Sequence, residues 1–455
     1  MMRIQLIFTV LAMLLATHQP ASAQVVPTDG QVEYQQMEMV GFIHFTVNTF
    51  TDKEWGYGDE DPAIFNPTEL DAEQWVLAAK AGGMKELILT AKHHDGFCLW
   101  PSAYTEHSVK NSPFRNGGGD VVKEFVEACR KHGLKVGLYL SPWDRNHKDY
   151  GSPEYITYYR NQLKELLTGY GEINEIWFDG ANGGDGYYGG ANEVRRIDRE
   201  TYYDWPNTIA LVKELQPGIK IFSDAGPDIR WVGNEHGFAG ETFWSTIDRS
   251  KLVIGASDSK YLNKGDPGGD SWIIGQCDVS IRPGWFYHAS EDSLVKTPGQ
   301  LMDIYYKSVG RNGVLLLNLP PDRRGLIHEN DVASLLKFRT RVDAIFSVDL
   351  ARGASLLMQK TGEDPLEVTL ELEGPRKFDH IVLGEEIEKG QRVSRFHVDA
   401  EIAEGSWIKV AEATTIGYKR ILQIDPVTTS KVRVVIDASK NPPLLSEVGL
   451  FYSGN

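Results

Sequence analysis

The feature that most constrains this chain is a rhythm in its first half. Apolar runs stand at residues 39–46 (MVGFIHFT), 86–91 (ELILTA), 135–140 (KVGLYL), 175–178 (EIWF) and 219–223 (IKIFS), with helix-like stretches between them at 71–81, 120–132, 155–167 and 208–215. Runs that are apolar at every position are strands buried on both faces, and strands joined through helices run parallel. In the first helix Trp75, Ala78 and Ala79 share one face, and Gly82-Gly83 stops it. The second carries Arg130, Lys131 and His132 in its last turn, where the helix dipole favours cations, and ends at Gly133. Runs at 241–246, 279–282 and 314–317 bring the strand count to eight. The expectation is an α/β chain with a (β/α)8-like barrel over residues 24–348, ending in a helix at 331–345. An open doubly wound sheet is the rival, but no Gly-rich phosphate loop follows the first strand.

From about Ala351 the rhythm changes to short β-like runs such as HIVLGEEI, KRILQI and KVRVVID separated by turn residues. That pattern predicts a C-terminal β-sandwich over 349–455. At the other end, Arg3 precedes an apolar run at 4–16 and the small-residue triplet Ala21-Ser22-Ala23. This reads as a secretory signal over 1–23, so the mature chain is expected to be exported, periplasmic or extracellular. No later run approaches the ~18 apolar residues of a membrane span. The formal charge is 47 − 63 = −16, which disfavours nucleic acid as a partner. Cys98, Cys129 and Cys277 are too few and too scattered for a disulfide framework or a zinc motif, and read as small buried residues.

In a barrel of this kind, chemistry sits where strands end. His44 stands near the end of the first strand. The second runs into Lys92-His93-His94-Asp95. The third carries Tyr139, and the fourth ends in Trp177-Phe178-Asp179-Gly180. The fifth is followed by Asp224, Asp228, Arg230, Trp231 and Glu235, and a later strand runs into Arg282-Pro283-Gly284-Trp285. Imidazoles and carboxylates bind hydroxyls, and indoles stack on the C–H faces of sugars, so the rim suits a carbohydrate. A metal reading would use His44, His93 and His94. Adjacent histidines on a strand point to opposite faces, which counts against a shared ion. No cofactor is expected. A non-catalytic, lectin-like protein would keep the rim without the chemistry.

The blocks GFIHF, EWGYG, TAKHHDGFCLWPS, GLYLSP, EIWFDGA, DAGPDIRWVGNE and SIRPGWFYH together resemble the family 29 glycoside hydrolases, the retaining α-L-fucosidases, from about Val40 to Asn318. RWVGNE looks like the branch that cleaves fucose α-1,3/4-linked to a branched N-acetylglucosamine. The resemblance implies Asp179 as nucleophile and Glu235 as acid/base. It implies His44, Glu54, Trp55, His93, His94, Tyr139 and Trp285 around the fucose, with Arg230 and Trp231 beside the acid. The family's acid/base lies in a variable region, and the insert at 183–203 lengthens the path from Asp179, so Glu241 is the fallback. The partners implied are fucosylated oligosaccharides or glycoconjugates. The C-terminal sandwich resembles carbohydrate-binding-like modules.

Overall fold

A computed structural model describes residues 24–360 and 366–454. The secretory signal predicted over 1–23 lies outside the described residues. Eight strands close a barrel: β1 (Met39–Ile43), β2 (Glu86–Lys92), β3 (Lys135–Leu140), β4 (Glu175–Trp177), β5 (Lys220–Ser223), β6 (Ile229–Trp231), β7 (Ile274–Ser280) and β8 (Val314–Asn318). Every neighbouring pair is parallel, and β8 returns to β1 with Met39 opposite Leu315. Helices such as Ala72–Ala81, Val121–His132 and Pro153–Gly169 cover the outside, burying Trp75, Phe125 and Leu163 against the strands. Inside, Phe42, Trp177 and Phe222 form an aromatic layer, with the Trp177 and Phe222 rings stacked 3.9 Å apart.

Two strands differ from the sequence reading. The sixth is the three-residue β6, and the run at 241–246 is not in the barrel. Its last residue, Thr246, belongs with Ile247 to a two-residue ribbon paired with Ser271–Trp272. Phe243 and Trp244 are apolar because they are buried beside the C-terminal domain, where the Phe243 amide donates to Thr415 and the Ser245 amide to Gln391. The seventh strand begins at Ile274, earlier than the run at 279–282.

The C-terminal domain is an antiparallel β-sandwich of β9 (Ser355–Lys360), β10 (Leu366–Glu385), β11 (Val393–Ala403), β12 (Ser406–Ala413), β13 (Arg420–Ser439) and β14 (Leu445–Phe451). β10 and β13 are long, and register shifts near Arg376 and His380 interrupt their ladder, bends of the kind that let a strand pass between layers. Phe378, Phe396, Val434 and Leu450 fill its core. Val382, Ile421 and Phe451 instead join the core on the barrel's outer side, so apolar burial ties the two domains together.

Candidate active site

The C-terminal strand ends open into a cavity of about 410 Å³. Its lining includes Asp179 and Glu235, together with His44, Glu54, Trp55, His93, His94, Trp231 and Trp285. Tyr139 sits just beneath and donates its hydroxyl to Asp179 Oδ2 at 3.0 Å. The other oxygen of Asp179 accepts the Ala181 amide at 2.8 Å. The two donors fix the position of the carboxyl group. The Tyr139 phenol is pushed well above its usual range by burial and by Asp179 itself, so it stays a donor.

Hydrogen bonding fixes the imidazoles. The Asn318 amide donates to Ser280 and to the Trp285 carbonyl, so its oxygen accepts from His44 Nδ1 at 2.9 Å. Ser141 donates to the Trp143 carbonyl and therefore accepts from His94 Nδ1 at 2.7 Å. Both rings are left with a bare Nε2, and that of His94 lies 3.8 Å from Asp179. Burial lowers His44 to about 4, and it lowers His93 and His94 too, so the imidazoles are neutral. A neutral imidazole with a bare nitrogen accepts a hydroxyl proton. The strand-alternation argument against His93 and His94 sharing a site fails here. β2 ends at Lys92, and beyond it the chain turns, so both rings line the cavity with centroids 4.1 Å apart. Among the described residues no three His, Cys, Asp or Glu side chains are arranged to hold a metal ion.

Glu54 reaches the cavity wall but its oxygens are occupied. They accept the Trp285 amide at 2.8 Å, the Phe286 amide at 3.1 Å and His288 Nε2 at 2.7 Å. Burial opposes a charge on His288, but Asp52 and Glu54 outweigh it and raise its proton affinity. A Cβ at Gly284 would stand 2.5 Å from Glu54 Oε1, so a side chain there would push that carboxylate off its hydrogen bonds. Glu54 thus positions the loop that carries Trp285, and the Trp285 indole donates to Glu235 at 3.2 Å. Gly233 makes the turn before Glu235 at φ +81°, where a Cβ would collide with the Ser259 carbonyl.

Three residues from the sequence reading are elsewhere. Arg230 is fully buried on the outer side of β6 and donates to the backbone carbonyls of Trp244, Leu262 and Ile273. It clamps the segment that follows β6 and does not line the cavity. Asp228 pairs with Lys213 and accepts the Ile221 amide. Glu241, the fallback acid, pairs with Arg311 at 2.5 Å and with Arg420 of the sandwich, so it serves the domain interface. Asp224 does line the cavity, accepting the Gly255 amide at 2.7 Å. Trp177, named on the rim from the sequence, lines it too, and so do Phe222 and Asp278, which the sequence reading did not single out. For Asp278 the signal was present: an earlier start for β7 puts Gln276, Asp278 and Ser280 on one face by simple alternation.

Behind the histidines lies a buried ion pair. Lys92 donates to Asp144 at 3.1 Å and Gln162 at 2.9 Å, with the rings of Tyr155, Tyr158 and Tyr159 around its ammonium. Asp144 in turn accepts the amides of Asn146 and His147, tying the end of β2 to the loop after β3. Burial pushes Asp144 up, but Lys92 and His147, with the His147 amide, together outweigh it and leave its proton affinity below the ordinary value. Lys92→Met strands that carboxylate, so urea denaturation should show a loss of about 3–5 kcal/mol. A loss below about 1 kcal/mol, the scale of an exposed pair, would contradict this reading of the network.

Comparison with known proteins agrees with this architecture. The family model described as alpha-L-fucosidase matches residues 21–340. The chain is 44% identical to Alpha-L-fucosidase 1 of Arabidopsis thaliana over 468 residues, covering 96% of this chain and 89% of the plant protein. A glycoside hydrolase 29 family member from an unknown rumen bacterium has a TM-score of 0.90 at 48% identity, over 95% of this chain and 78% of that one. A Ruminococcus gnavus family 29 fucosidase solved in complex with fucose has a TM-score of 0.83 at 32% identity, over 95% and 96% of the two chains. The chain belongs to the α-L-fucosidases of glycoside hydrolase family 29.

Proposed function

We propose that this protein is an exported exo-α-L-fucosidase that removes α-1,3- or α-1,4-linked fucose from branched, Lewis-type glycans with retention of configuration. The observation that carries the reading is the presence of Asp179 and Glu235 on one cavity, among neutral imidazoles and indoles, in a chain of this family. Asp179 attacks the anomeric carbon and forms a glycosyl-enzyme. Glu235 protonates the departing sugar, then draws a proton from water for the second displacement. The bare Nε2 atoms of His44 and His94 accept fucose hydroxyls, and Trp55, about half exposed at the mouth, offers a face to the sugar that leaves.

The linkage preference rests on Asp224, Trp231 and the segment Gly255–Ser257, which continue the cavity wall beyond the rings. Binding energy from a second, non-reacting sugar can be expressed in the transition state. A Lewis-type trisaccharide is therefore expected to show kcat/KM at least about tenfold above an α-1,2-linked fucoside and above an aryl fucoside, a difference of ~1.4 kcal/mol. Preference for the α-1,2 linkage, or indifference to the galactose branch, would sink the linkage assignment and leave the fucosidase assignment standing.

A further inference from the structure

The cavity is crowded with acid. Glu54, Asp179, Asp224, Glu235 and Asp278 line it, and no lysine or arginine does. Carboxyl groups gathered around one cavity disfavour one another's charge. Sugar hydroxyls both donate and accept. Here acceptors are plentiful, whereas the indole N–H groups of Trp231 and Trp285 and the Tyr139 hydroxyl already serve carboxylates. Apart from His93 and the half-exposed Trp55, the ring donors of the wall are already engaged, so donors are few.

Asp278 has the geometry to supply one. It stands on β7, a strand of the rigid barrel, and is buried to all but 4% of its surface. Oδ1 accepts the Trp231 indole N–H at 2.8 Å. That bond fixes Oδ1 as an acceptor, and among the described residues no other residue's side chain hydrogen-bonds the carboxyl, which stands at a cavity-lining position. We propose that Asp278 meets the substrate as a neutral carboxylic acid, with Oδ1 held on Trp231 and the Oδ2 hydroxyl donating a hydrogen bond to an oxygen of the bound sugar. The proposal rests on the sugar-hydrolase reading of this cavity.

The groups around Asp278 agree. Burial raises its proton affinity well above the usual carboxylate range, and Glu235, from the loop after β6, and Asp179, just beyond β4, add to the effect. Asp224, just after β5, is pushed up to about 7 by burial and by Asp179, despite the Gly255 amide. The imidazoles from β1 and β2 are neutral and offer no compensating charge. Arg230, on β6, points the other way. A carboxyl kept neutral in this manner is a hydrogen-bond donor at neutral pH.

The test compares Asp278→Ala with Asp278→Asn on a fucosylated trisaccharide. An asparagine keeps a carbonyl for Trp231, and its NH2 replaces the acid hydroxyl as donor. The expected result near pH 5 is a loss of about 20-fold or more in kcat/KM for Asp278→Ala, most of it recovered by Asp278→Asn, which stays within about fivefold of wild type. As pH rises, the wild type loses the donor once Asp278 ionises, so its KM should climb while that of Asp278→Asn climbs less. Asparagine as damaging as alanine would show a charged acceptor and overturn the proposal. Both variants within about twofold of wild type would overturn it too. If alanine fails to fold, the pH dependence of KM decides: the wild-type KM should climb with pH more than that of Asp278→Asn, and parallel profiles would overturn the proposal. If wild-type protein bound fucose but released none, the hydrolase reading would fall, and calorimetric fucose binding by the same variants would carry the comparison.

Discussion

Asp179→Ala should lower kcat on an aryl fucoside by about 10³ or more, ~4 kcal/mol of barrier, while the protein still folds and binds fucose. The side chain makes two hydrogen bonds, from Tyr139 and from the Ala181 amide, and little else, so its loss costs the fold only about 1–3 kcal/mol. What disappears is the attacking oxygen and the covalent intermediate. With the carboxylate gone there is room for azide, which should restore turnover and give the β-configured fucosyl azide, an inverted product. Turnover within about tenfold of wild type, only ~1.4 kcal/mol, would remove Asp179 from the nucleophile role.

Glu235→Ala should separate substrates by their leaving groups. A sugar alkoxide needs a proton to depart, so kcat/KM for the trisaccharide should fall by about 10³; a nitrophenolate leaves unaided, so kcat/KM for an activated aryl fucoside should stay within about tenfold. Water attack without its base then becomes slow, and kcat for the aryl substrate falls. Azide needs no base, so it should raise that kcat and yield the α-configured azide. The opposite anomers from the two variants assign nucleophile and acid/base separately. Equal damage to both substrates, with no azide product, would take Glu235 out of the role. Glu241 would not inherit it, since its carboxylate is engaged with Arg311 and Arg420 at the domain interface.

Much of this was legible in the sequence, for identifiable reasons. β1 to β5 are continuous apolar runs because both faces are buried, and such runs are easy to read. His44, Asp179 and the His93-His94 pair follow directly on those strands, so placing the strands placed the residues. The failures cluster after β5. β6 is three residues long and carries the charged Arg230, whose buried guanidinium is hydrogen-bonded by backbone carbonyls, so it does not look like a strand. The run at 241–246 looks like one because Phe243 and Trp244 are buried against another domain, a contact that periodicity cannot reveal. The late placement of β7 hid Asp278. Arg230 and Trp231 are adjacent, yet one faces outward and the other the cavity. Placing Arg230 beside the acid overlooked that alternation.

The account turns on a covalent fucosyl-Asp179, and trapping tests it most directly. In 2-deoxy-2-fluoro-fucosyl fluoride the 2-fluorine slows both displacements, while the fluoride leaving group keeps the first one fast, so a glycosyl-enzyme accumulates. Intact-protein mass spectrometry should show one fluorofucosyl group per chain, and peptide mapping should put it on Asp179 in the segment EIWFDGA. Glu235→Ala should still label and Asp179→Ala should not. A label on another residue, or rapid hydrolysis of the reagent with no covalent species and an inverted anomer as first product, would contradict it.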